Sequence, residues 1–209
     1  MIKAVLFDVA GVLTEGYTRF IVESAMQTGA DLHALGSALL PVFAGDDDTE
    51  SVGHQLERGE VTLEEFHASL GELEDDARAV LHPASEHFFG HRLEPEPTMH
   101  AFVAELVDAG YLTGVVSNNV RAWQDTWDRA LPPAELFSAV VFSATVGVRK
   151  PSRDIYLMAV ERLGVAPHEA LFLDDFAPMA EGARAAGLHA LHVEAHDVAI
   201  GEARALLDG

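Results

Sequence analysis

Ile2-Lys3-Ala4-Val5-Leu6-Phe7-Asp8-Val9-Ala10-Gly11-Val12-Leu13-Thr14 decides the fold. Residues 2–7 form a short, largely apolar run, the pattern of a strand buried on both faces in a parallel sheet. The run stops at Asp8, and Gly11 follows shortly after. Open α/β sheets bind ligands at the carboxyl ends of their strands. A carboxylate placed there, ahead of a glycine-bearing loop, stands at a ligand-binding edge. The same residue types also make an ordinary capped turn, and this stretch alone leaves both readings open.

Beyond Thr14, helical patterns dominate to about residue 95. Phe20, Ile21, Ser24 and Ala25 mark one face of a helix over 17–27, and Asp31 can cap a second helix running to Phe43. Gly45-Asp46-Asp47-Asp48 reads as a loop. Thr62-Leu63-Glu64-Glu65 is a capping box that opens a further helix, with Phe66 and Leu70 on one face. Residues 46–76 are rich in acids, with Arg58 the only Lys or Arg among them, and read as a solvated helical face.

From Glu96 the pattern alternates. Helices are expected over 97–109, after Asn119 as far as Ala130, over 153–163 and over 180–186, with a last one capped by Asp197. Ser152 is the expected cap of the 153–163 helix. Strands are expected over 111–116, 139–142, 170–173 and 188–193. Strands alternating with helices imply parallel pairing, hence an α/β, doubly wound Rossmann-like sheet. The expected organisation is a core of residues 1–14 and 96–209 interrupted by an all-helical insert, 15–95. A chain of 209 residues is long enough to bury such a core.

Composition narrows the function. With 13 basic and 34 acidic residues the formal charge is −21, a field that repels nucleic acid and anionic membranes. No apolar run has the length of a membrane span. There is no cysteine, which excludes thiolate catalysis and Cys-ligated zinc and makes the cytoplasm the expected compartment. Lys3 and Lys150 are the only lysines, so each invites scrutiny.

Three further features fall at or just after expected strand ends. Ser117-Asn118-Asn119 offers a hydroxyl and amides that can donate to an anion, although it is also ordinary turn chemistry. Lys150 sits in Gly147-Val148-Arg149-Lys150-Pro151. The paired Asp174-Asp175 follows the apolar run Ala170-Leu171-Phe172-Leu173. Asp8, Asp174, Asp175 and Lys150 together carry −2, a cluster that calls for a divalent cation with hard oxygen ligands. His87 and His91 are spaced i, i+4 near His82 but lack a completing ligand, and His189, His192 and His196 read as structural or exposed. Trp123 and Trp127 read as packing residues on one helix.

Taken in order, Asp8-Val9-Ala10-Gly11-Val12, Ser117-Asn118, Lys150 and Asp174-Asp175 resemble the four motifs of the haloacid-dehalogenase-like hydrolases, over nearly the whole chain. The resemblance implies a Rossmann-like core with a helical cap. It implies Asp8 as nucleophile, forming an aspartyl-phosphate in a small-molecule phosphatase, with Lys150 and Ser117 stabilising the transferring group. Asn118 and Gly11 would contact the substrate. Mg²⁺ would be held by Asp8, the Ala10 carbonyl, Asp175 and, as an alternate ligand, Asp174. Ala10 departs from the pattern, because most phosphatases of the family carry a second Asp there as general acid and base. Two other readings therefore stay open: a metal-independent 2-haloacid dehalogenase, and a catalytically impaired binding protein of the same fold. Glu15 is a candidate substitute for the missing acid. The insert has no lysine, which rejects the phosphonoacetaldehyde hydrolases, whose cap lysine forms a Schiff base.

Overall fold

The computed structural model describes residues 1–16, 22–23, 25–26, 29, 31–33, 51–70, 93–123 and 130–209. Five parallel strands form one sheet in the order β3-β2-β1-β4-β5. They are β1 (Ala4–Phe7), β2 (Leu112–Ser117), β3 (Ala139–Phe142), β4 (Ala170–Asp174) and β5 (His189–His192). The chain starts in the middle of the sheet, moves to one edge, then crosses to the other. This is the doubly wound arrangement expected from the alternating pattern, and it puts the end of β1 at the crevice where the strand order reverses.

Every residue of β1 is buried, and successive side chains enter different layers. Val5 and Phe7 face one layer with Phe102, Leu106, Ile200 and Ala203. Ala4 and Leu6 face the other with Ile155, Tyr156, Ala159, Ala180 and Ala183. The first layer is built from α3 (Pro97–Asp108) and α7 (His196–Leu207), the second from α5 (Arg153–Leu163) and α6 (Ala177–Ala185). Period-2 alternation thus supplies two helix-covered faces from one four-residue strand.

Local chemistry explains where the elements stop and where expectations shift. Pro97 opens α3, and the Glu96 carboxylate accepts from Thr98 N at 3.2 Å as its cap. Gly164, at φ +67°, closes α5. Ser152 precedes α5 but makes no side-chain capping bond. The α6 helix begins earlier than expected because Pro178 is tolerated in a first turn. Ala195, not Asp197, is the cap position of α7; Asp197 lies inside the first turn, where its charge meets the helix dipole. Unforeseen is α4 (Ser143–Val146), a single turn closed by Gly147 at φ +76°.

Between β1 and α3 lie α1 (Val52–Glu57) and α2 (Leu63–Leu70). The expected capping box opens α2: Glu65 N donates to Thr62 Oγ1 at 3.1 Å, and Thr62 N donates to Glu65 Oε2 at 2.7 Å. Leu56, Phe66 and Leu70 are buried in the same apolar cluster as Val9, Val12 and Leu13. The Gly45–Asp48 loop, His82, His87, His91 and Trp127 lie outside the described residues, as do most of the 17–27 helix, the expected helix to Phe43 beyond His33 and residues 124–129 of the helix expected to reach 130. The segment that follows Thr14 is clasped to the segment that precedes α3. Glu15 N donates to Glu94 O and Glu96 N to Leu13 O, both at 2.9 Å, and Thr14 bridges Pro95.

Phe102 is the pivot of the first layer, 2% exposed, edge-on to Phe7 at 6.4 Å and with the Arg204 guanidinium over its ring at 5.6 Å. Phe102→Ala is expected to cost about 3–5 kcal/mol of stability. Urea denaturation monitored by circular dichroism checks this, as a fall in midpoint with unchanged slope.

Candidate active site

The register of the sheet assembles the site. Phe7 is paired with Val115 on one side and Leu173 on the other, so Asp8 emerges level with Val116 and Asp174. Asp8 N donates to Leu173 O at 2.9 Å, carrying the ladder one step past the strand. Ser117, 2% exposed, closes β2 one residue further on. Asp8, Asp174 and Ser117 are therefore brought together by strand pairing alone.

Lys150 arrives differently. It follows α4 and its closing turn rather than a strand end, which corrects its expected placement. The Asn118 carboxamide grips its main chain: Lys150 N donates to Asn118 Oδ1 at 2.8 Å, and Asn118 Nδ2 donates to Lys150 O at 3.1 Å. The side chain of Asn118 is thus a clamp on Lys150. Lys150 itself is 2% exposed, with Nζ 2.9 Å from Asp8 Oδ1, 2.6 Å from Asp174 Oδ2 and 5.3 Å from the centre of the Phe172 ring. Burial pulls its ammonium toward the neutral form, but the charges of Asp174 and Asp8 outweigh that and hold it above its ordinary range. The other lysine, Lys3, makes a surface bridge to Glu169.

Asp174 divides its two oxygens between Lys150 Nζ and the Phe176 amide, the latter at 2.8 Å. Asp175 faces Gly11: a Cβ on Gly11 would stand 2.0 Å from Asp175 Oδ2, and Gly11 has φ +79°. Glycine is needed there for both the backbone turn and the approach of the carboxylate. Gly16 lies beside the same pair.

Oxygens of Asp8, Asp174 and Asp175 lie within 4.8 Å of one another. Burial, then the charges of Asp8 and Asp174, push Asp175 up to about 7, and burial pushes Asp174 up despite Lys150. Asp8 Oδ1 is buried and receives no well-directed hydrogen bond, only the ionic contact of Lys150. Crowded carboxylates with an unspent oxygen fit a small hard cation such as Mg²⁺. Because Asp174 is occupied by two donors, Asp8 and Asp175 are the better direct ligands.

Three histidines support these loops, a role the sequence did not disclose. His196 Nε2 lies 3.0 Å from Gly11 O, His192 Nε2 2.9 Å from Asp175 O, and His100 Nε2 2.8 Å from Leu13 O. Each must carry its proton on Nε2 to donate to a carbonyl. The Asp174↔His192 register, visible only once β4 and β5 are paired, is what brings His192 to Asp175. Ala10 is 3% exposed, and its methyl group carries no proton to transfer. Glu15 Oε1 accepts from Glu94 N at 3.3 Å, so that oxygen is directed to the clasp.

The raised Asp175 gives a signed pH dependence. Folded protein keeps this proton up to about 7, whereas the unfolded chain releases it near 3.8. Between those values the folded state binds more protons, so the Asp175 contribution to stability falls as pH rises and is lost above about 7. In EDTA, Asp175→Asn is therefore expected to match the wild type near pH 4 and to melt higher at pH 8. With Mg²⁺ at pH 8 the order is expected to narrow or reverse, because only the wild type gains a full set of ligands. Thermal melts at both pH values, with and without the ion, read out all four cases.

Comparison with known proteins supports the same assignment. Mouse (Mus musculus) acyl-CoA dehydrogenase family member 10 is 28% identical over 98% of this chain, which spans only 19% of that much longer protein. Phosphoglycolate phosphatase of Shigella dysenteriae is 27% identical over 89% of this chain and 79% of its own length. A Bacteroides thetaiotaomicron HAD-family enzyme, solved as an Asp-to-Ala mutant in complex with magnesium and inorganic phosphate, shares the fold. Its TM-score is 0.65 at 19% identity, over 91% of this chain and 93% of that one. The sequence pattern of the family described as haloacid dehalogenase-like hydrolase matches residues 2–187. With that match over most of its length, and with Asp8, Lys150 and Asp174-Asp175 gathered at the ends of β1 and β4, the chain belongs to the haloacid dehalogenase-like hydrolases.

Proposed function

We propose that the chain is a Mg²⁺-dependent phosphatase of small phosphate esters that works through an aspartyl-phosphate on Asp8. The observation that carries this reading is the juxtaposition at the end of β1. The Asp8 carboxylate stands 2.9 Å from a buried lysine and within 4.8 Å of Asp174 and Asp175. The proposed division is a catalytic core of residues 1–14 and 96–209 with a cap of residues 15–95 that governs substrate choice. The proposed location is the cytoplasm, and a chain of −21 favours neither nucleic acid nor anionic membranes as partners.

In this mechanism Lys150 orients one oxygen of Asp8, and the carboxylate attacks phosphorus in line, displacing the alcohol. Lys150 and the Ser117 hydroxyl then face the equatorial oxygens as charge develops on them. Gly11 and the Asn118 amide line the approach. Asp174 holds Lys150 in place. Mg²⁺ on Asp8, Asp175 and the Ala10 carbonyl would supply the positive charge that an acidic site owes an anionic substrate. Water finally attacks phosphorus and returns Asp8 to its free state. The methyl group of Ala10 can neither protonate the departing alcohol nor draw a proton from that water. The chain is accordingly proposed to prefer substrates whose leaving groups depart without a proton, such as acyl or aryl phosphates.

Asp8→Asn is expected to abolish phosphate release while leaving the melt intact, because an amide cannot attack phosphorus. Turnover near the wild-type level would overturn the covalent route, and full wild-type activity in EDTA would favour the metal-independent dehalogenase.

Ala10→Asp restores the missing proton carrier. For alkyl phosphates it is expected to raise kcat/KM on the order of tenfold or more, a part of the 10²–10⁴ usual for general acid catalysis. For aryl or acyl phosphates the gain is expected to be small. Paired kcat/KM measurements on both substrate types check the contrast, and equal gains on both would show that proton transfer is not what Ala10 removed.

A further inference from the structure

The end of α1 is bonded to the loops that carry Ser117 and Lys150. Glu57, its last residue, reaches Arg149, whose Nε lies 2.7 Å from Glu57 Oε2; Arg149 is 4% exposed and is the residue immediately before Lys150. The main chain of Glu57 is held as well, since Ser143 Oγ lies 2.5 Å from Glu57 O. The same Oγ accepts from Asn119 N at 2.9 Å, two residues past Ser117. One hydroxyl thus ties the inserted helix to the segment after β2 and to the start of α4. Just beyond, Gly59 has φ +69°, and a Cβ on it would stand 2.5 Å from Ala144 O. The helix end lies against the core too closely for any other residue there.

These contacts have a common direction. Asn118 clamps the Lys150 main chain, Asn119 is held through Ser143, and Arg149 is held by Glu57. The Ser117 loop and the Lys150 loop meet through Asn118, and the end of α1 braces both, one through Ser143 and the other through Arg149. A buried guanidinium needs a carboxylate, and the end of α1 supplies one to Arg149. The pairing also turns this second cation toward the insert, leaving Lys150 as the cation between Asp8 and Asp174.

We propose that Glu57 and Arg149 are positioning residues. Through them the docked end of α1 sets the Ser117 and Lys150 loops, making seating of the insert a condition of a competent site. The catalytic part rests on the reading of Asp8 and Lys150 given above; the mechanical part does not. Glu57 touches no reacting atom, and its effect passes through Arg149 and Ser143.

Residue-resolved amide exchange by NMR, on the full chain with no metal or substrate, tests the mechanical part. In wild type under rising denaturant, amides of residues 54–60, 118–120 and 143–150 are expected to open together with one free energy. Glu57→Gln is expected to speed exchange in 118–120 and 143–150 roughly tenfold, the scale of one charged hydrogen bond. Glu60→Gln on the neighbouring turn, which breaks only the exposed Arg58–Glu60 pair, is expected to leave those amides unchanged. Separate opening of the three segments in wild type, or faster exchange confined to 54–60, overturns the proposal even where a variant fails to fold. Turnover of p-nitrophenyl phosphate with Mg²⁺ tests the catalytic part. Glu57→Gln is expected to lower kcat about tenfold with KM within twofold, as a small misplacement of a catalytic group does. The double reversal Glu57→Arg with Arg149→Glu is expected to recover most of it. Unchanged kcat in Glu57→Gln overturns the positioning role. A wild type without turnover overturns the phosphatase reading instead, while exchange still decides the latch.

Discussion

The structure depends on one buried ammonium group. Lys150 Nζ sits between Asp8 and Asp174, 2.9 and 2.6 Å away, with an aromatic ring behind it. The end of a parallel strand is an expensive place to gather carboxylates, and here three converge. Lys150 offsets one of those charges without solvent, and its own burial is tolerable only because both partners are present. Each element of that arrangement constrains another: strand pairing places the two acids, Phe172 in β4 backs the cation, and the Asn118 carboxamide fixes the peptide from which it springs.

Three carboxylates and one lysine would sum to −2 at neutral pH, and the raised Asp175 is how the protein expresses that excess. A proton and a divalent cation are two answers to the same electrostatic demand. The site is in this sense built around a charge it does not itself carry. Gly11 belongs to the same economy of space, since its missing side chain is what lets Asp175 approach the loop after Asp8.

The fold was largely legible because its signals are local. Apolar four- and five-residue runs ending in Asp8 and Asp174, with glycine or proline between, give strand, turn and order without tertiary knowledge. The parallel sheet and the alternation of its helices followed from them. The site was legible where strand ends carry the chemistry, as at Asp8, Ser117 and Asp174-Asp175. What stayed hidden was whatever depends on the third dimension. Asn118 reads as a turn residue, and nothing near it in the chain announces that it grips a peptide 32 positions away. His192 and His196 read as structural or exposed, and only β5 and α7 show which loops their rings support, those of Asp175 and Gly11. The acid-rich run around Glu57 reads as solvated, yet one of its carboxylates meets an arginine 92 positions on. Asp197 misled for the opposite reason: a good capping residue was present, but the helix starts two residues too early to use it.

The clasp at Thr14, Glu15 and Glu94–Glu96 has an evolutionary consequence. The chain leaves the core and returns to it at points already hydrogen-bonded to each other. Whatever lies between begins and ends at a closed junction, so changes of length away from the residues that pack on the core enter the folding balance through loop closure. That term grows slowly, by about 0.6 kcal/mol for each doubling. The intervening segment can thus be lengthened, shortened or replaced by a different helical set while the sheet, its register and the charges at its edge stay as they are. Such a junction works as a socket. Under the proposed division, a lineage changes what it recognises by exchanging the part that plugs in, provided that part keeps an acid where Glu57 stands, the glycine at 59 and the apolar contacts of Leu56, Phe66 and Leu70.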